Sequence, residues 1–548
     1  MCLLFFLAAL ALVQCRWPFA RDVVPAVLDV RFPSTPETFD PAQAADAASR
    51  TLVSLLFSRL TRLSPDGNEV LPELATEWKV SGDGRIYTFF LRQDAVWVDQ
   101  NGQVVSSLTA ADIVWTFRRL CDPATGSADA PLFYVIEGCQ AAHTATGTPD
   151  LEGVDVRAVD DFTVEFTLTE PAAYFPALLA MPSASPLPHG AIEEGKSEVW
   201  TSVDRLLTSG PYTVQTWEPE RRLVLVQNDA FFAANDVSVS QVNVHIVPDD
   251  VQAVERYDRN ALDVVDLAPA LAAVARHDKA RQPEMRLLAK SCSVFAGFVT
   301  VKPPLDYRLV RQALSEAVDR EGLVEEVLGG NGLPARHLAP PGVFGAPPAD
   351  QVGVAPNPEH AQEVLARAGY PGGQGFPPIT VVYPQDAVLT AVAQHLARTW
   401  EETLGIEVRL EGYEAQTYPQ RLDRTLPLEE APHVWLFRYC TSSPEAYYWL
   451  NTAFHCQESP NWSRRVCDAF DTLLEQAAAE RDPANRRELY AQAEDALAVE
   501  EVAYAPLYHE AQAILVKPWL QLPERRATWW DIARWSLDMT AKQAAQEQ

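Results

Sequence analysis

The chain is 548 residues long and carries a formal charge of −30, from 44 Lys plus Arg against 74 Asp plus Glu. A hydrophobic content of 47% with 22% charged residues is that of a globular protein, and the length calls for two or three domains, not one core. With no cationic surplus to neutralise phosphates, nucleic acid is excluded as a general partner; the acidic excess reads as a solubilising surface, with steering of a cationic ligand as the alternative.

The first residues, MCLLFFLAALALVQC, hold an unbroken apolar run from Leu3 to Val13, of signal-peptide length and too short to span a bilayer. The run lacks a basic start. Leu12-Val13-Gln14-Cys15 resembles a lipobox, with Gln14 where a small residue is usual. Residues 1–15 are therefore read as a signal peptide with Cys15 as lipid-attachment candidate, an ordinary secretory signal being the alternative. No later segment approaches a membrane span. Once Cys2 leaves with the signal, Cys121, Cys139, Cys292, Cys440, Cys456 and Cys467 remain, an even set expected to form disulfides in an oxidising compartment. Fifteen pairings are open. Short loops favour Cys121 with Cys139 and Cys456 with Cys467, which leaves Cys292 with Cys440.

After VLDVRF, a short strand, Leu52, Leu55, Leu56 and Leu60 recur at helical spacing and predict a helix from Ala44 to Arg62. SPDG (64–67) is a turn, and TEWKV is a strand. In SGDGRIYTFFLRQDAVW (81–97) a Gly turn leads into strict alternation, Ile86, Thr88 and Phe90 on one face and Tyr87, Phe89 and Leu91 on the other. SSLTAADIVWTFRRL is an amphipathic helix with Ile113, Val114 and Phe117 inward, and Thr109 and Asp112 at capping-box spacing. DFTVEFTLTEP alternates as a strand. SGPYTVQTWEPERRLVLVQNDAFF gives two strands around a turn, VSQVNVHIV a third, and ERYDRNALDVVDL a helix followed by a strand. Beyond Cys292, the helices DYRLVRQALSEAVDREGLVEEVL, PEHAQEVLARAGY and AVLTAVAQHLARTWEETLG alternate with the strands ITVVY and IEVRLEG, an α/β pattern. DPANRRELYAQAEDALAVE is a last helix and AYAPLYHEAQAILV a last strand.

Motifs for catalysis are missing. His509-Glu510 lacks the second His of a metalloprotease, no Gly-x-Ser-x-Gly elbow occurs, and GGNG (329–332) lacks the Lys-Ser/Thr of a phosphate loop. Neither Cys-x-x-Cys nor His-x-x-x-His spacing is present. No enzyme, cofactor or metal site is expected.

The ordered series of segments resembles the large extracytoplasmic solute-binding proteins of ABC importers, the family 5 type that includes peptide-, dipeptide- and nickel-binding members. It is carried by LPELATEWKVSGDGRIYTFFLRQDAVW (71–97), TAADIVWTFRRL (109–120), SGPYTVQTW (209–217) with Asn228, KPPLDYRLVRQALSEAVDR (302–320), AGYPGGQGFP (368–377), YYWLNTAF (447–454) and APLYHEAQAILVKP (505–518). It covers roughly Val30 to Pro518. The implied fold is an α/β bilobed, periplasmic-binding-protein-like clamshell of type II, with an extra domain inserted in the first lobe. The first lobe would comprise 22–70, 195–290 and 506–540, the extra domain 71–194 and the second lobe 291–505. The chain would cross between lobes near Lys290 and Ala505, and these crossings would form the hinge. The Ser81 to Trp97 element would bury apolar residues on both faces, with Arg92 and Asp94 fixing the loop that carries Trp97. The resemblance also supports the Cys292–Cys440 pairing.

By the same resemblance three segments would line the ligand cleft: the start of the first long helix (Ala45, Asp46, Ala47), Phe133 and Tyr134 of the extra domain, and second-lobe strand ends with Phe295, Gly297, Phe298, Tyr439 and Ser442. Tripeptide-type members hold the ligand's ammonium with an Asp and place a Glu and an Arg nearby; those positions read Ser442, Gly297 and Leu436 here. The ammonium clamp is absent, with Glu445 a nearby substitute, and Arg438 is expected to face solvent. The implied function is capture of a peptide or similar small solute by hinge closure and its delivery to ABC permease subunits, by a periplasmic or cell-surface lipoprotein that works as a monomer. The alternatives are a sensor or chaperone using the same fold, or import of an oligosaccharide or nickel chelate.

Overall fold

The computed structural model describes residues 25–65, 67–195, 200–348, 351–522 and 531–547. The expected signal peptide, 1–15, and Cys15 lie outside the described residues. The first lobe begins with β1 (Val27–Phe32) and α1 (Ala47–Leu56). The extra domain follows with β2 (Ile86–Leu91) and α2 (Ala110–Leu120). The chain then returns to the first lobe for β3 (Tyr212–Glu218), β4 (Arg222–Gln227), β5 (Gln241–Ile246) and β6 (Val264–Asp266). The long strand β7 (Met285–Phe298) carries it across. The second lobe adds β8 (Ile379–Pro384), α3 (Ala387–Leu404), β9 (Val408–Tyr413), β10 (Val434–Cys440) and α4 (Ala446–Phe454). A second long strand, β11 (Tyr504–Val516), returns it, and α5 (Met539–Gln546) closes the described chain.

One 11-stranded sheet runs through both lobes in the order β3-β4-β5-β1-β6-β11-β7-β10-β8-β9. Residues Gly332–Pro334 pair alongside β11 as the remaining strand. The alternation of β5 puts Val242, Val244 and Ile246 into the first-lobe core with Leu28, Val30, Leu52 and Leu56. In the second lobe β8 is parallel to β9 and β10. There α3 starts where Asp386 accepts from the Val388 and Leu389 N–H and stops at Gly405, whose φ of 70° favours glycine.

The two long strands are antiparallel and belong to both lobes. Met285–Ala289 pair with Leu515–Ala511, next to β6; Ser293–Gly297 pair with His509–Tyr504, next to β10. Between Ala289 and Ser293 the ladder register shifts, opposite Glu510. The ladder shifts again between Val294 and Phe295; a ribbon of two strands bends most easily where its ladder is broken, and the longer break, 290–292 opposite Glu510, is the candidate hinge. Lys290, where the first crossing is expected, lies in the longer break. Ala505, where the return crossing is expected, is fully buried opposite Ala296, next to the shorter break.

Helix α1 is shorter than the Ala44 to Arg62 span that its leucines predict. It ends at Leu56 because its last carbonyl is taken by a tertiary partner: the Ser209 and Gly210 N–H both donate to the Leu56 carbonyl, at 3.1 and 2.9 Å. Gly210 is glycine because a Cβ there would lie 2.6 Å from the Leu56 carbonyl carbon.

The extra domain is a four-stranded antiparallel sheet around β2 with α2 packed on it. Tyr87, Phe89 and Leu91 of β2 are buried, while Ile86, Thr88 and Phe90 are half-buried, so one face carries the core instead of both. Arg92 and Asp94 do form a two-bond ion pair, at 2.6 and 3.0 Å. The Trp97 ring packs edge-on to Phe57 of the first lobe, and its Nε1 donates to Asp112 at 3.2 Å. The same Asp112 accepts from the Thr109 N–H at 2.9 Å and so starts α2. The extra domain also meets the second lobe: Tyr174 stacks on Tyr447 with centroids 4.4 Å apart, and the Tyr448 hydroxyl donates to the Pro131 carbonyl at 2.7 Å. It is wedged against both lobes.

The six cysteines among the described residues are paired, Cys121–Cys139, Cys292–Cys440 and Cys456–Cys467. Cys292 and Cys440 face each other across β7 and β10, immediately beside the hinge.

Candidate functional site

A cavity of about 580 Å³ opens at the hinge. The end of β1 (31–34), the start of α1 (45–48 with Arg50 and Thr51), the crossing segment 288–292, the end of β10 with its loop (440–442) and Gln512 of β11 surround it. Both lobes thus contribute walls, and the Cys292–Cys440 disulfide fixes the second-lobe side.

The first-lobe wall is ordered by α1. Asp46 caps the helix, accepting from the Ser49 N–H at 2.9 Å, and Ser49 Oγ accepts from the Glu37 and Thr38 N–H, which ties the preceding loop to the helix. Arg50 donates from Nε to the Ala45 carbonyl at 3.3 Å and from Nη2 to Asp129 at 3.1 Å. Ser442 Oγ donates to the same Asp129 oxygen at 3.0 Å. Three parts of the molecule therefore meet on one buried carboxylate: α1, the extra domain and the second lobe. Arg31, 1% exposed, is fully engaged with Asp250 at 2.6 Å, Asp266 at 3.1 Å and the Val247 carbonyl at 2.8 Å. Arg438 faces solvent, as expected, and from there pairs with Glu510 at 2.6 Å.

Of the residues singled out from sequence, Ala45, Asp46, Ala47 and Ser442 line this cavity. Phe133, Phe295 and Phe298 do not; each is buried in a core. Phe133 packs on Phe117 at 5.7 Å, and Phe295 is enclosed by Trp435, Phe437, Phe454 and Tyr504. Phe298 lies with Val310, Leu314 and Leu436 in the second-lobe core. Gly297 leaves room for an indole: a Cβ there would stand 2.2 Å from the Trp435 ring. Tyr134 and Tyr439 are half-buried outside the cavity wall, Tyr134 bonded through its hydroxyl to His143 at 2.6 Å and Tyr439 edge-on to Trp449 at 4.8 Å. Glu445 cannot replace a missing carboxylate at the cleft. It is wholly buried between Arg486 and the Tyr490 hydroxyl, at 3.1 and 2.9 Å, and burial pushes its pKa up to about 7.

Sequence reasoning missed Arg50, Asp129, Arg31 and Lys290. An Asp-x-x-x-Arg spacing at a helix start was visible for Asp46 and Arg50; nothing local distinguishes Asp129, which sits in a loop. Among the described residues His455, Cys456 and Asp471 lie close enough to share an ion, but Cys456 is in a disulfide and Asp471 is paired with Arg465. That group is structural.

Residues 69–461 match the family model of bacterial extracellular solute-binding proteins, family 5. The chain is 30% identical over 492 residues to the periplasmic murein peptide-binding protein MppA of Escherichia coli K12, covering 89% of this chain and 88% of that protein. It is 28% identical over 489 residues to the periplasmic oligopeptide-binding protein OppA of the same strain, covering 88% and 87%. The structure superposes with a TM-score of 0.82 on the unliganded open form of the murein tripeptide binding protein MppA, at 28% identity and covering 94% and 97% of the two chains. With a match over most of its length and two lobes joined by a paired hinge, the chain belongs to the bacterial extracellular solute-binding proteins of family 5.

Proposed function

We propose that this protein captures a peptide or peptide-like solute between its lobes, closes about the hinge at 290–292 and Glu510, and delivers the solute to the permease of an ABC importer. The observation that carries this reading is the cavity at the hinge, walled by both lobes, in a chain related over nearly its whole length to peptide-binding proteins. A ligand touching both walls favours the closed state through contacts made only there. Nothing in the reading requires turnover; the protein binds and releases. No helix among the described residues is long and apolar enough to cross a membrane, and Cys15 would supply a lipid tether outside the cytoplasm.

The test is small-angle scattering with tryptophan fluorescence on the full chain, purified without refolding, in the presence of a random tripeptide mixture. A fall in radius of gyration with a saturable fluorescence change is expected. If neither responds to peptides, peptide capture is overturned.

A further inference from the structure

The lobes also touch beside the hinge, on the side of β11 away from β7. There the first lobe brings the helix Pro269–His277. Its base is held to β11, where the Leu267 N–H donates to the Ala513 carbonyl at 2.9 Å and Gln512 Nε2 donates to the Leu267 carbonyl at 2.8 Å. The second lobe brings the GGNG turn (329–332), whose last glycine starts the strand Gly332–Pro334 that pairs with β11 from Glu510 to Tyr508. Two side chains join these pieces. Arg276 Nη2 donates to the Gly330 carbonyl at 2.5 Å, and Asn331 Nδ2 donates to the Pro269 carbonyl at 3.3 Å. Gly330 has a φ of 77°, and a Cβ there would stand 2.3 Å from the Arg276 guanidinium carbon, so the turn is shaped around this side chain.

The contact is specific without being strong. Arg276 Nε is buried without an acceptor among the described residues, a cost that offsets part of what Nη2 gains. The contact is also sensitive to the angle between the lobes. Arg276 stands two turns along its helix from Pro269, about 10 Å along the axis, and a hydrogen bond tolerates displacements of only about half an ångström. The lobes stand here as in an unliganded open form. We propose that Arg276 and Asn331 form a clasp that belongs to the open state and must let go before the lobes close. This rests on the capture reading above and adds what sets its affinity. Solute favours the closed state, so a contact special to the open one lowers the apparent affinity by the share of molecules it holds open. Neither residue lines the cavity; both are positioning residues for the lobes.

The experiment compares the full chain with Arg276→Ala, with Asn331→Ala and with a control, His277→Ala, exposed on the same helix. Titration with random tripeptides, followed by tryptophan fluorescence, should show about three- to tenfold tighter binding for the first two variants and no change for the control. Affinity that is unchanged or weaker in both Arg276→Ala and Asn331→Ala overturns the clasp and leaves peptide capture standing. If no form binds tripeptides, peptide capture is overturned and small-angle scattering of the ligand-free proteins decides the clasp by itself. A smaller radius of gyration in the two variants then supports it, and an equal one overturns it. Should one variant fail to fold, the other decides.

Discussion

Glu494 is fully buried, and its two oxygens accept from the Leu338 and Ala339 N–H, at 2.6 and 2.8 Å. Burial pushes its pKa from 4.5 up to about 7, against the two N–H bonds that pull it down. A carboxyl that holds its proton more tightly when folded stabilises the fold most below 4.5, and that contribution is lost as pH rises through 7. The melting temperature of the native protein relative to Glu494→Gln should therefore fall between these two pH values and level off above them. A difference that does not change with pH in scanning calorimetry would refute this. At this scale the sequence was only partly legible. The cysteine pairs could be reached from loop lengths and resemblance, but the aromatic residues of β7 could not be sorted into cleft and core. Residues 293–298 are all buried because β7 is a central strand covered on both faces, so alternation says nothing about which face meets a ligand. Asp129 was invisible for a different reason: its role comes from partners 79 and 313 residues away.

The elements themselves were largely readable, since periodicity is a local property. The capping of α2 by Thr109 and Asp112 and the span of α3 follow from their sequences. Where the reading failed, as at the end of α1, a distant segment had taken over the backbone bonds. The pair β7 and β10 shows what an element can carry. Their cross-strand disulfide joins residues 148 apart and braces the strand just beyond the hinge break. Replacing Cys292 and Cys440 together by Ser should lower unfolding free energy by about 2–4 kcal/mol, mainly by freeing the unfolded chain. Urea denaturation with and without the bond measures it; an unchanged midpoint would show that the pair adds no stability.

Across the whole molecule the first lobe is assembled from distant pieces, and one lysine ties them. Lys542 of α5 is 3% exposed and donates to Asp263 at 2.6 Å, Asp29 at 3.1 Å and the Val27 carbonyl at 2.7 Å. Asp263, wholly buried, also accepts from the Asp29 N–H and from Trp519 Nε1, both at 2.7 Å. Removing the ammonium takes from two carboxylates, one of them fully buried, the cation they share, so Lys542→Met should cost about 3–5 kcal/mol in chemical denaturation. A loss below about 1 kcal/mol would mean that the carboxylates find other partners.

The knot of charge formed by Lys542 has a consequence for how the protein is made. Strand β1 lies against β5 and β6 and is locked by a side chain more than 500 residues later. A nascent chain cannot finish this lobe before α5 is made, and contacts of such range slow folding. A lobe that closes so late leaves its early strands unpaired for longest, and a chain in that condition can still be drawn through a narrow pore.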